Sequence, residues 1–139
     1  MIQIIAGKKG KGKTKFLLEK ANEAVKDAKG TIVYLDKSTK HMYELNSSVR
    51  LVNVCDYPIS SYDAFLGFVS GIIAQDYDLQ QIYFDSFLKI ADLEGKNIES
   101  AIEDLKVLSD NHNITFVLSI SSDASELPEN AKSNIVIAL

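Results

Sequence analysis

The chain has 139 residues, 46% hydrophobic and 24% charged, with two prolines and seven glycines, which suits one folded domain with a real core. No apolar run approaches the roughly 20 residues of a membrane span, and no basic segment followed by a long apolar one opens the chain, so neither a membrane anchor nor a secretory signal is expected. The one cysteine, Cys55, cannot form an internal disulfide, so a cytoplasmic, reducing compartment is the expectation, and the net charge is −4.

In chain order, Ile2-Gln3-Ile4-Ile5-Ala6 reads as a short buried strand that runs into a glycine- and lysine-rich loop. A helix is predicted over 13–28, with Phe16, Leu17, Ala21, Ala24, Val25 and Ala28 on one face and Gly30 as its stop. Thr31–Leu35 is a second strand ending at Asp36. A short helix over 38–46, capped by Ser38, is predicted to carry Met42 and Leu45 inward, before a third strand over 51–54. Ser60 is the expected cap of the most apolar helix, 60–75, which carries Phe65, Leu66, Phe68, Val69, Ile72 and Ile73. A fourth strand, 82–84, ends in Asp85, and a loop over 86–96 follows. A helix over 97–111 has Asn97 as its expected cap, and a fifth strand, 114–118, ends in Ser119. A polar loop over 121–133 and a sixth strand over 135–138 complete the chain.

Strands alternating with helices predict an α/β fold, a three-layer α/β/α sandwich with a mostly parallel sheet of five to six strands. In such sheets ligands bind beyond the carboxyl ends of the strands. Here those ends carry Gly7, Asp36, Cys55-Asp56, Asp85 and Ser119.

The strongest chemical signal is Gly7-Lys8-Lys9-Gly10-Lys11-Gly12-Lys13-Thr14, which matches Gly-x-x-x-x-Gly-Lys-[Ser/Thr], the phosphate-binding loop called Walker A. Its glycines let backbone N–H groups turn toward phosphate oxygens, and the helix that follows adds its positive end. In that reading Gly7 through Lys15 line the nucleotide, Lys13 reaches the β- and γ-phosphates and acts in catalysis, and the Thr14 hydroxyl holds Mg²⁺. Charge placement agrees. Residues 1–15 hold five lysines and no acid, while the remaining ten basic residues face nineteen acids. A positive spot on an acidic body suits a compact nucleotide triphosphate. It does not suit a long nucleic-acid track, and the loop 121–133, with Asp123, Glu126 and Glu129 against Lys132, would repel one.

Asp85, at the end of Gln81-Ile82-Tyr83-Phe84, occupies the place of a Walker B aspartate, which governs the metal and its waters. With Tyr34-Leu35-Asp36 and Ile82-Tyr83-Phe84-Asp85-Ser86 added to the loop, the chain resembles the RecA-like P-loop NTPases, and the small bacterial ATP-binding proteins made of little beyond that core. The resemblance implies ATP and Mg²⁺ as ligands and the strand order 3-2-4-5-1-6. It also implies a water-activating glutamate just past the second strand or after Walker B. The matching positions hold Lys37-Ser38 and Ser86, so Asp36 is the nearest substitute, alternatively a loop-capping carboxylate. The polar group of the fifth strand would be Ser119 or Ser121.

Arg50 is the only arginine, just before the third strand and expected at a sheet edge away from the phosphates. The chain therefore supplies no arginine to its own site. Slow hydrolysis, or hydrolysis completed by a protein partner or a second copy, is the expectation. Asp85-Ser86-Phe87-Leu88 does not fit the Asp-x-x-Gly that a GTPase carries after its Walker B strand, and no Asn-Lys-x-Asp occurs, so a GTPase is not expected. A non-catalytic nucleotide-dependent interaction module and a small-molecule kinase are the alternatives. His41 and His112 read as surface or capping residues, and Cys55 as a small buried side chain.

Overall fold

A computed structural model describes Met1–Leu139. Six strands form one sheet: β1 Ile2–Gly7, β2 Thr31–Asp36, β3 Val49–Asn53, β4 Leu79–Phe84, β5 Thr115–Ser121 and β6 Ile135–Ala138. The order is β3-β2-β4-β5-β1-β6 and every neighbouring pair is parallel. The helices are α1 Lys13–Ala24, α2 Tyr62–Gln75, a short α3 Phe87–Ile90, α4 Glu99–His112 and a short α5 Glu129–Lys132. None is long and apolar enough to cross a membrane.

The two faces of the sheet follow from the period of two along each strand. Ile4, Val33, Leu35, Ile82, Phe84, Phe116 and Leu118 join α2, α3 and α4 in one apolar cluster. The residues between them, Ile5, Ile32, Tyr34, Tyr83 and Val117, join α1 in a second. Central strands are therefore apolar on both sides, as a parallel sheet covered by helices requires. Three edge-to-face contacts from Phe84, to Phe65, Phe87 and Phe116, mark the centre of the larger cluster.

Several expectations are corrected. The segment 38–46 is a series of turns, not a helix. Of its apolar residues only Leu45 is buried, and Met42 and Tyr43 are exposed, so no apolar face stabilises a helix there. Its polar side chains serve the turns instead: Ser38 Oγ accepts from the Lys40 N–H, and Asn46 Oδ1 from the Ser48 N–H. Helix α1 ends at Ala24, short of residue 28. Strand β3 begins at Val49, and residues 54–56 turn into a 3-10 helix capped by Asn53. That turn leaves Cys55 exposed, against the expectation of burial. Ser61, not Ser60, caps α2 through the Ala64 N–H. Asn97 accepts from the Glu99 N–H one residue ahead of the α4 cap position. The loop after Asp85 contains α3, whose Phe87 and Ile90 are buried together with Ala91 and Leu93. Gly30 is not the stop of α1, which has already ended; it is needed for close packing, since a Cβ there would collide with the Asp78 carbonyl oxygen.

Candidate functional site

The loop between β1 and α1 takes the conformation its glycines allow. Gly10 and Gly12 have φ of 82° and 87°, in the left-handed region that other residues adopt at a cost. Gly7 is close-packed: a Cβ there would lie 3.0 Å from Leu139 Cβ and 3.3 Å from the Leu139 carbonyl oxygen. Gly12 is also the N-cap of α1, with no side chain to cap the helix and no acid in the first turn. The positive end of a twelve-residue helix is thus directed into the loop with no acid of its own first turn against it. Lys8, Lys9, Lys11 and Lys15 are exposed around this turn.

Lys13 differs from its neighbours. It is 8% exposed, and its Nζ donates to the Lys8 carbonyl oxygen at 3.1 Å. Burial lowers its pKa, partly offset by the carboxylate of Asp85. The ammonium therefore lies folded against its own loop, near the acid at the end of β4.

Asp85 is the hub. Its Oδ1 accepts from Thr14 Oγ1 and from Ser119 Oγ, each at 3.2 Å, and its Oδ2 accepts from the Tyr34 hydroxyl at 2.8 Å. The Ser86 N–H donates to Ser119 Oγ at 2.9 Å, which holds that hydroxyl against the carboxylate. One buried aspartate thus ties together the start of α1 and strands β2, β4 and β5. Of the two serines considered on β5, Ser119 belongs to this network, whereas Ser121 is exposed.

Tyr34 was not singled out from the sequence. The available signal is register: β2 and β4 pair Tyr34 with Tyr83 and Leu35 with Phe84, so both strands carry a Tyr-x-Asp step side by side. The two rings stack with centroids 6.1 Å apart. Burial, then the neighbouring carboxylates, pushes the Tyr34 hydroxyl far above its ordinary range, so it stays a donor to Asp85. Tyr83, bonded to Gln81, is pushed up to about 12 by burial.

The same register brings Asp36 beside Asp85. Asp36 is 2% exposed; its Oδ1 accepts from the Lys37 N–H at 2.7 Å, while its Oδ2 is buried without a partner. Burial raises its pKa and the Asp85 charge adds to that, against the Lys37 N–H, His41 and Lys37. An ionised Asp36 is thus penalised in the fold at neutral pH, and the penalty disappears below its ordinary value of 3.8, where folded and unfolded chains are both protonated. Asp36→Asn is expected to raise the unfolding free energy by about 1 kcal/mol at pH 7. The gain should shrink toward zero as the pH falls below 3.8. Urea titrations of both proteins at pH 7 and at pH 3.5 test this, and a gain equal at the two pH values would contradict it.

Two carboxylates and the hydroxyls of Thr14, Ser119 and Tyr34 gather here, one oxygen of Asp36 lacking any partner. That hard-oxygen set suits Mg²⁺, which takes one or two carboxylates and completes its shell with water and substrate phosphates. No trio of His, Cys, Asp or Glu forms a ligand cage of its own. His41, half-buried, pairs with Glu44 at 2.9 Å, and His112 is exposed in the last turn of α4. Arg50 is exposed on β3, an edge strand separated from β1 by β2, β4 and β5. In the 121–133 segment, Ser125 accounts for most of the lowering of the Asp123 pKa, with smaller contributions from Lys8 and Lys11 of the loop.

No family model matches the chain, and no curated protein matches it either.

Proposed function

We propose that the chain is a P-loop nucleotide-binding protein of the RecA-like kind that holds Mg-ATP and hydrolyses it slowly or with the help of a partner. The observation that carries the reading is the bond from Thr14 to Asp85. It joins the loop motif to the acid predicted from a separate stretch, 71 residues away. The strand order β3-β2-4-5-1-6 of the sheet supports the same reading, because it sets β5 between the two strands that bear these groups.

In this reading the triphosphate lies along Gly7–Thr14, where backbone N–H groups and the α1 terminus receive it. Lys13 leaves the Lys8 carbonyl and donates to phosphate oxygens, which restores to a desolvated ammonium the anionic partner it lacks. Thr14 and Asp85 hold Mg²⁺, which neutralises charge on the β- and γ-phosphates when bound. Tyr34 and Ser119 keep the Asp85 carboxylate oriented toward the loop. Asp36, with its free Oδ2, accepts a hydrogen bond from water at the site and orients it. It is buried and short of reach compared with a glutamate, so hydrolysis is slow. The small-molecule kinase reading gains no support from any residue here.

Turnover distinguishes a slow ATPase from a nucleotide-dependent interaction module. Phosphate release from Mg-ATP at high protein concentration should proceed at well under the roughly 10 s⁻¹ of a median enzyme, and Asp85→Asn should abolish it. Binding of Mg-ATP with no phosphate release beyond the Asp85→Asn background would make the protein a sensor, not an ATPase.

A further inference from the structure

Beside the P-loop, above the carboxyl ends of β2, β4 and β5, the surface opens into a polar cleft of about 170 Å³. Lys9 of the loop, Lys37 just past β2 and Lys89 of α3 line it, with Ser86, Ser121 and a single acid, Glu94. Three ammonium groups against one carboxylate leave the cleft positively charged. None of the three lysines has an ion-pair partner within 4.0 Å, although Lys26, Lys96 and Lys132 elsewhere each have one. Like charges that outnumber their counter-charge in one cleft repel one another, and an anion there lowers that repulsion.

The wall that carries Lys89 is held in place. Phe87, Ile90, Ala91 and Leu93 are buried, which anchors α3 to the core. Ser86 and Asp92, at φ of 55° and 57°, and Gly95, at 74°, bend the chain around it. Two of these three are not glycine, and such left-handed residues persist where the surrounding structure fixes them. The Ser86 N–H is fixed by Ser119, which is itself bonded to Asp85. Lys37 is fixed in the same way at its backbone, where its N–H donates to Asp36. Both lysines are therefore mounted directly on the network that surrounds the proposed metal and phosphate site.

Resting on the nucleotide reading, we propose that Lys37 and Lys89 read the terminal phosphate. They make the chain prefer a nucleoside triphosphate to the diphosphate, and take the place of the arginine that the sequence lacks. The cleft takes in Lys9 of the loop and Ser86, the residue after Asp85, and in the nucleotide reading the γ-phosphate extends into it beyond the β-phosphate. The diphosphate reaches the loop and Lys13 but leaves the cleft unfilled.

Calorimetric titration of Mg-ATP and Mg-ADP into the wild type and into K37A/K89A tests this, with K29A/K106A as a control for the loss of two exposed positive charges elsewhere. The wild type should bind Mg-ATP about tenfold more tightly than Mg-ADP, the effect of added charge-assisted contacts to one phosphate. In K37A/K89A that ratio should fall to within about twofold, with Mg-ADP affinity retained. The variant K37R/K89R should keep the preference. An unchanged ratio in K37A/K89A, an equal loss in K29A/K106A, or no preference in the wild type would overturn the proposal and leave nucleotide binding standing. Failure of the wild type to bind either nucleotide would overturn the nucleotide reading and this inference with it.

Discussion

Replacing Lys13 with alanine is expected to weaken Mg-ATP binding about 100-fold, the effect of losing charged hydrogen bonds to phosphate, while leaving the free protein almost as stable as the wild type. The two halves of the expectation have one physical origin. The Lys13 ammonium is buried, its pKa is depressed chiefly by desolvation, and its one hydrogen bond goes to the Lys8 carbonyl of its own loop. Without nucleotide, that charge sits in a poor environment, so its removal costs about 1 kcal/mol at most. With nucleotide, the same desolvation makes the attraction to phosphate stronger than it would be at an exposed lysine. Thermal unfolding with and without Mg-ATP measures both halves at once. A variant stabilised by Mg-ATP as much as the wild type would show that Lys13 does not touch the ligand. A variant that fails to fold would show that Lys13 is structural.

Phe84→Ala is expected to cost about 3–5 kcal/mol of unfolding free energy. The ring is fully buried and meets Phe65, Phe87 and Phe116 edge to face, with centroids 6.1, 6.0 and 5.3 Å away. It therefore joins α2, α3 and β5 to β4, and no one neighbour can collapse into the space it leaves. Domains of this size are stable by only about 5–15 kcal/mol, so the variant should be near the edge of folding at 37 °C. Val107→Ala, on the exposed face of α4, provides the contrast and should change stability by about 0.5 kcal/mol or less. Urea unfolding of the three proteins measures these differences, and a Phe84→Ala cost under about 1 kcal/mol would refute the packing account. The effect should also reach the site, because Phe84 immediately precedes Asp85 and packs on the α3 residue that follows it.

The parts of the molecule that were legible in the sequence are those with a strong period or a strong motif. Strands β1, β2, β4, β5 and β6 and helices α1, α2 and α4 each expose or bury residues at a regular spacing, and each formed within a few residues of its expected bounds. The loop Gly7–Thr14 and the acid Asp85 were singled out by motif and by strand position, and the fold brings them together. Strand order was implied by resemblance alone, since no local pattern encodes which strands pair.

What escaped was set by tertiary contacts. Helix α3 is too short to display a period, and the burial of Phe87, against Phe65 and Phe84, and of Ile90 anchors it. The segment 38–46 has the composition of a helix, but its only buried apolar side chain is Leu45. Cys55 reads as buried from its residue type, a small hydrophobe, whereas the Asn53 cap turns the chain outward there. Tyr34 read as an ordinary strand residue until register put its hydroxyl on Asp85. The lysine pair facing the cleft lies 52 residues apart in the chain, which no spacing rule connects.

The most direct test of the central claim is a calorimetric titration of Mg-ATP into the wild-type protein, repeated with Mg²⁺ replaced by EDTA. The expected result is binding of one nucleotide per chain that weakens at least about tenfold without the metal, since Thr14 and Asp85 would then hold no cation to offset the phosphate charge. No heat and no thermal stabilisation with Mg-ATP or Mg-GTP at millimolar concentration would contradict the account.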